Sequence, residues 1–273
     1  MTILITGARG KVGQGVAGRL KSAGHPVRVA SAEPSGDDVI ELKLNRPETF
    51  DAALDGVDQV FLYPEPDGID AFVKTAEAAG VSHIVLLSSS SVLGPNADND
   101  PLASHSLAVE RALTASNLTC TFLRPDAFAS NALGWAYFIG QNMPIQLAYP
   151  DANIAPIHPD DIADIAAEAL TGEALKGRSI TLTGAHPLTF REQLAVISNV
   201  LDREIPVEKI SHAEAERQMS RYMPAPAVSS LLALWAAASA EPAVIADTTE
   251  TLLRKPARTF EQWARENAAA FSG

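Results

Sequence analysis

The chain has one cysteine, Cys120, in 273 residues. No disulfide can form within it, and the usage fits a reducing compartment. Cys120 is no candidate nucleophile either, because it sits in Leu118-Thr119-Cys120-Thr121-Phe122-Leu123, an apolar run that reads as a buried strand. Basic residues are few, 21 against 33 acidic, giving a formal charge of −12. No run of lysine or arginine resembles a phosphate-backbone footprint, which argues against nucleic acid as a partner. No apolar stretch reaches the length of a membrane span, and Met1 to Gly7 runs into a glycine turn with no basic segment ahead of it. A soluble, cytoplasmic protein without a membrane partner is expected. Repeats and low-complexity linkers are also absent. The length suffices for one large α/β domain, or for a nucleotide domain with a smaller lobe.

What is present is alternation. Short β-branched runs at residues 3–6, 27–30, 59–62, 83–88 and 119–123 read as strands. Helical stretches lie between them at residues 12–23, 69–79 and 101–116, the first two stopping at Gly24 and Gly80. This is the order of βαβ units in a parallel sheet. After Pro125 a proline-punctuated stretch, 142–159, leads to a helix at 160–170 and a strand at 179–183. From Thr189 the chain reads as almost wholly helical. Thr189 with Glu192 makes a capping box, and residues 225–240 and 260–270 are apolar helices whose Trp235 and Trp263 suit packing.

Gly7-Ala8-Arg9-Gly10-Lys11-Val12-Gly13 places glycines at i, i+3 and i+6, after a strand and at the opening of a helix. The first serves the tight turn, the second lets a pyrophosphate approach bare backbone, and the third brings helix and strand together. The amides of Lys11, Val12 and Gly13 then face the anion with a favourable helix dipole. Glu33 follows Gly13 by 20 residues, where a carboxylate accepts from a ribose 2′-hydroxyl and repels a 2′-phosphate. Arg9 pulls toward a 2′-phosphate. The cofactor expected is NAD(P), with the balance leaning to NAD. The fold expected is α/β, a Rossmann-type doubly wound parallel sheet over residues 1–142. A smaller, mostly helical carboxyl-terminal lobe at 143–273 is expected to interleave with it as one compact unit.

With these motifs in view the chain resembles the NmrA-like, atypical branch of the short-chain dehydrogenase/reductase superfamily. The likeness is carried by Thr6 to Gly13, by Ala79-Gly80-Val81-Ser82-His83-Ile84-Val85-Leu86-Leu87-Ser88-Ser89 and by Leu123-Arg124-Pro125. Ile157-His158-Pro159-Asp160-Asp161-Ile162-Ala163 and Arg258-Thr259-Phe260-Glu261-Gln262-Trp263 complete it. The resemblance implies that the helical part forms a cleft over the nicotinamide, and that Tyr63, Pro64 and Ser88 lie along the cofactor. It also implies that Ser89 binds a substrate carbonyl, although Ser88 to Ser91 read equally as strand-end turn chemistry. The superfamily's acid catalyst, a tyrosine four residues ahead of a lysine, is replaced by Leu102 and Ser106. His105 beside them is a weak catalytic candidate or a surface residue. Phe128, Asn131, Trp135 and Tyr137 offer an aromatic, nearly uncharged wall for a flat ligand, or else the packing of an irregular loop. His158 has no second histidine at ligand spacing, so no metal site is expected.

The expected function is an NAD(P)H-dependent oxidoreductase acting on a planar aromatic or quinone-type molecule without the Tyr/Lys dyad. Hydride addition to a quinone gives a phenolate-type oxygen, with a conjugate acid near pKa ~10, which needs little acid assistance. A tailoring oxygenase or reductase for aromatic polyketides and a non-catalytic NAD(P) redox sensor are the alternatives. The assembly is left open between monomer and homodimer.

Overall fold

Each of the five short runs in the first half becomes a strand, and all of them run the same way. The computed structural model of the protein describes residues 1–34, 36 and 38–272. It begins β1 (Ile3–Ile5), α1 (Lys11–Ser22), β2 (Val27–Ser31), β3 (Val39–Glu41), α2 (Phe50–Leu54), β4 (Gln59–Leu62), α3 (Ile69–Ala78), β5 (His83–Leu87), α4 (Ser104–Thr114) and β6 (Thr119–Pro125). It continues α5 (Ala136–Gly140), β7 (Ile145–Leu147), β8 (Asn153–Ile154), α6 (Pro159–Thr171), β9 (Ser179–Leu182), β10 (Leu188–Thr189) and α7 (Phe190–Leu201). β11 (Val207–Lys209), α8 (His212–Met219), α9 (Ala225–Ala238), α10 (Thr248–Leu253) and α11 (Phe260–Glu266) close the chain.

Two compact units, interleaved in sequence, share these elements. The first holds residues 1–99, 103–125 and 159–182, and the second holds 100–102, 126–158 and the chain from Thr183 onward. Residues 159–182 thus belong with the sheet, although they lie beyond residue 142.

In the first unit seven parallel strands run in the order β3-β2-β1-β4-β5-β6-β9. One core packs Leu4, Val60, Ile84 and Leu86 from the strands against Phe50 of α2, Phe72 of α3 and Val109 of α4. Phe50 and Phe72 meet edge to face at 5.5 Å. α1 and α6 pack against each other, and Gly15 permits it: a Cβ there would come within 2.9 Å of the Ala163 methyl. Arg19 of α1 ties the pair by ion pairs to Asp160 and Asp164 of α6.

The second unit wraps helices around two short strand pairs, β7 with β11 and β8 with β10. The stretch after Thr189 is therefore not wholly helical, since Val207–Lys209 pairs in parallel with β7. Phe190 stands edge to face with both Trp135 and Trp235, at 5.8 and 5.2 Å, so these rings form a core. The capping box at Thr189 forms in full, and a second one does so at Thr259 with Gln262. The helix expected over 260–270 ends at Glu266, and Ala268–Phe271 follows as a 3-10 turn. No helix among the described residues is long and apolar enough to cross a membrane.

Candidate functional site

The sheet order reverses about β1, with β2 and β3 to one side and β4, β5 and β6 to the other. The carboxyl edge at such a switch point is where open α/β sheets bind ligands. A cavity of about 580 Å³ opens there. It is lined by Gly7, Arg9 and Gly10 after β1, Ser31 and Glu33 from β2 and beyond, Leu42 to Asn45 after β3, and Tyr63, Glu65 and Asp67 after β4.

The three glycines of the turn are there for different reasons. Gly7 has φ +63°, and a Cβ on it would meet Tyr63 Cβ at 3.0 Å. A Cβ on Gly13 would sit 2.6 Å from the Gly7 carbonyl oxygen, so α1 could not start where it does. Gly10 has an ordinary extended backbone, φ −80° and ψ 153°, and a Cβ there would meet only the Gly7 oxygen at 3.4 Å. The protein itself does not require glycine at position 10. What its hydrogen keeps clear is the space before the amino end of α1, where no side chain caps the first amides. A pyrophosphate fits that donor set and that space, which is the test NAD(P) has to pass. Lys11 is exposed at the first helical position, whereas Val12 is buried and offers the ligand only its backbone.

Thr6 holds the two strand ends in register. Its hydroxyl donates to the Phe61 carbonyl at 3.1 Å and accepts from the Tyr63 amide at 2.7 Å, which seats Tyr63 beside Gly7. Arg9 and Glu33, opposed in their cofactor preference, are paired with each other: Nη1 lies 2.8 Å from Oε2, and both side chains are exposed. Pro64 follows Tyr63 half-buried and outside the cavity lining.

At the end of β5, Ser88 and Ser89 differ. Ser88 is buried, and its hydroxyl donates to Glu110 of α4, so that side chain is already committed. The Ser89 oxygen accepts from the Ser91 amide at 3.2 Å and from the Ser91 hydroxyl at 2.8 Å. The two hydroxyls can each donate to the other; when Ser91 donates, the Ser89 proton is left for a ligand. α4 begins at Ser104 rather than at Pro101, because Asp100 Oδ1 accepts from the Leu102 amide at 3.0 Å and holds Pro101–Ala103 in a turn. Leu102 therefore stands in a turn before the helix, and Ser106 is buried within it. His105 is exposed in the first turn of α4 and makes no hydrogen bond among the described residues.

The second unit carries the four aromatic and amide positions. Phe128 is half-buried, with its backbone bridged to Ile157, and Trp135 is half-buried against Phe190. Asn131 is exposed, and Tyr137, 69% exposed, touches the edge of Phe138. His158 is buried, with Nε2 3.1 Å from Glu266 Oε2. Cys120 is half-buried in β6, and burial pushes its thiol up to about 11, so it is no nucleophile.

Three sets of residues escape a reading by sequence pattern. Leu42 to Asn45 wall the cavity beyond β3, but a three-residue strand between charged neighbours leaves no period to detect. Glu65 and Asp67 lie in the loop after Tyr63-Pro64. Glu110 and Arg124 form an ion pair with Nη2 2.6 Å from Oε2, and the only sequence signal is that Arg124 falls in the Leu123-Arg124-Pro125 motif.

A sequence profile of a family described as NAD(P)H-binding matches residues 7–173. The chain is 36% identical over 282 residues to the (4-alkanoyl-5-oxo-2,5-dihydrofuran-3-yl)methyl phosphate reductase of Streptomyces griseus, covering 99% of both chains. It is 28% identical over 285 residues to the NAD(P)H azoreductase of Xenophilus azovorans, covering 98% of this chain and 99% of that one. In fold it is similar to an NADPH-dependent quinone oxidoreductase from Escherichia coli, solved with NADPH. The TM-score is 0.80 at 21% identity, over 97% of this chain and 99% of that one.

Proposed function

The chain belongs to the NAD(P)H-binding family, in its NmrA-like, atypical short-chain dehydrogenase/reductase branch, and from that membership we propose that this NAD(P)H-dependent reductase acts on a planar, conjugated acceptor of quinone or aromatic type. The observation that carries the proposal is the Ser89 hydroxyl. Its oxygen accepts from the Ser91 amide, and with the Ser91 hydroxyl donating to it as well its proton is left to give, at the carboxyl end of a central strand.

NAD(P)H, when bound, supplies hydride. The Gly7 to Gly13 turn and the first amides of α1 would hold the pyrophosphate, with the Lys11 ammonium adding charge of the right sign. Arg9 and Glu33 would face the adenosine ribose, Leu42 and Asn45 the base, and Tyr63-Pro64 the far side of the turn. Ser89 lies three strands along the edge from β2, roughly 14 Å at the usual strand spacing, at the end left for the nicotinamide. There it donates to the acceptor oxygen that gains charge. One neutral hydroxyl suffices when that oxygen is phenolate-like, with a conjugate acid near ~10, and fails for a far more basic alkoxide. With Leu102 in a turn and Ser106 buried, neither position supplies a tyrosine or lysine acid. In the second unit, Phe128, Asn131, Trp135 and Tyr137 carry aromatic faces and one amide of the kind on which a flat ligand stacks.

A second substrate class has its own support in the 36% relative. The compound in its name carries a ring alkene conjugated to two carbonyls, so hydride addition there also leaves a delocalised oxyanion. A butenolide acceptor therefore stands beside the quinone.

The test is turnover of NADH and NADPH by the purified protein, without flavin or metal, against 1,4-naphthoquinone, an acyl butenolide and cyclohexanone. The conjugated acceptors are expected to exceed the ketone in kcat/KM by at least about tenfold, and Ser89→Ala to lower kcat about tenfold or more with little change in KM. Tight cofactor binding with no turnover on any acceptor would replace the reductase by a redox sensor.

A further inference from the structure

One buried charge of the first unit lies outside the lining of the nucleotide cavity. Glu110 is 5% exposed on α4. Arg124 of β6 donates to it twice, from Nε to Oε1 at 2.9 Å and from Nη2 to Oε2 at 2.6 Å. Removing two charges from water costs several kcal/mol each, and an apolar pair of similar volume would often serve stability as well. A third partner explains what the pair does. The hydroxyl of Ser88, the first residue past β5, donates to Glu110 Oε1, and the Ser88 amide donates to the Leu123 carbonyl of β6 at 2.7 Å. Ser88 is thus held through backbone and side chain at once. The next residue is Ser89, whose oxygen caps the turn Ser90–Leu93.

We infer that Glu110 is a positioning residue for the reduction: clamped by Arg124, it fixes Ser88 and through it the strand end that aims Ser89. The inference rests on the reading of Ser89 as the donor to the acceptor oxygen. Three links, hydrogen-bonded from Arg124 to Glu110 and from Glu110 to Ser88 and covalent from Ser88 to Ser89, join the buried charge to that hydroxyl. Without the carboxylate the last residue of the clamp keeps only its backbone bond, and the turn carrying Ser89 loses its fixed origin.

The experiment uses the full chain. Ser88→Ala removes one hydroxyl and leaves the ion pair intact, so it keeps the question answerable if Glu110→Ala, which strands Arg124, does not fold. Hydrogen exchange of the amides at residues 88–93 needs no acceptor and is read first. It should rise at least about tenfold in Ser88→Ala and in Glu110→Ala, while the rest of the sheet stays at its wild-type rate. Turnover with 1,4-naphthoquinone should fall about tenfold in kcat in both, and the double variant should fall no further. The affinity for NADPH by calorimetry should stay within about threefold. Glu110→Gln keeps an oxygen that can accept from Ser88 but sets its NH2 against Arg124 Nη2, so it should recover part of both losses. Exchange at 88–93 and kcat both within twofold of wild type in Ser88→Ala overturn the inference, as does a lower melting temperature with unchanged kcat. If Ser89→Ala is silent while exchange still rises, the reading of Ser89 has failed and the positioning role falls with it. If Ser89→Ala costs kcat and Ser88→Ala does not, the inference alone has failed.

Discussion

The two edges of the sheet in the first unit spend their polar groups in opposite ways. At the amino edge, His83 opens β5 fully buried, with Nδ1 3.3 Å from Gln59 Oε1 and Nε2 2.9 Å from Thr121 Oγ1. Thr121 in turn donates to the Leu175 carbonyl at 2.8 Å, so the network closes on the protein itself. At the carboxyl edge the turn after β1 leaves helix amides uncapped, a side chain at Gly10 would touch only the Gly7 oxygen, and the Ser89 hydroxyl meets only Ser91 among the described residues. Both edges carry chemically able residues. Only the edge with unspent donors can act on a ligand, and the saturated edge contributes stability instead.

The sharpest way to break this contrast is Gly10→Val. Open space around position 10 means the fold should survive with its melting temperature nearly unchanged, while NADH and NADPH affinity should drop on the order of 100-fold or more. Gly13→Ala is the control in the opposite sense. Its Cβ would strike the Gly7 carbonyl at 2.6 Å, so stability should fall by about 1–3 kcal/mol. Calorimetric titration and thermal melts of both variants separate the two. Unchanged affinity in folded Gly10→Val would mean that the cavity is not the dinucleotide site.

The amino edge gives the next largest effect. Burial, with the Lys176 charge adding to it, lowers the His83 pKa from 6.5 to about 4. Above pH 6.5 the imidazole is neutral folded or unfolded, and stability is complete. Between 6.5 and about 4 the unfolded chain takes a proton that the folded protein refuses, so stability falls as pH falls, by about 3 kcal/mol in all. Below about 4 the loss from this group stops. Denaturant unfolding at pH 7.5, 6.0 and 4.5 measures it, and His83→Gln should flatten the slope without touching cofactor affinity. Equal slopes in both proteins would remove His83 as the cause.

How much of this was legible depended on whether the partners were near in sequence. The β1 turn, α1 and β2 could be read because strand, glycine spacing and helix start lie within some thirty residues and each leaves a local mark. The capping box at Thr189 is likewise a four-residue signal, and it formed in full. β3 leaves none, being three residues that end in Glu41, which pairs with Lys43. Glu110 joins Ser88 across 22 residues and Arg124 across 14, and His83 finds Thr121 across 38, so only the pairing of β5 with β6 and the packing of α4 on β6 bring them together. The start of α4 was misplaced by three residues although the signs were present, since Asp100-Pro101 is turn chemistry.

The smallest expected effect lies at the rim of the cavity, where Arg9 and Glu33 neutralise each other. An exposed pair of this kind is worth about 0–1 kcal/mol, so neither residue is strongly held from a ligand. Glu33 Oε2 faces Arg9, which leaves Oε1 for a ribose 2′-hydroxyl, while a 2′-phosphate would have to draw Arg9 away against the carboxylate's repulsion. A modest preference for NADH follows, of about two- to fivefold in Kd. Glu33→Ala should cost NADH a hydrogen bond and free Arg9 for the phosphate, shifting the NADH to NADPH ratio about tenfold toward NADPH. Arg9→Ala should shift it the other way, and the double variant should return near parity, because each residue acts partly through the other. Titrations of all four proteins with both nucleotides decide it. A wild type that already favours NADPH tenfold would show that the guanidinium governs the rim, and additive shifts would show that the pair is a contact without consequence for choice.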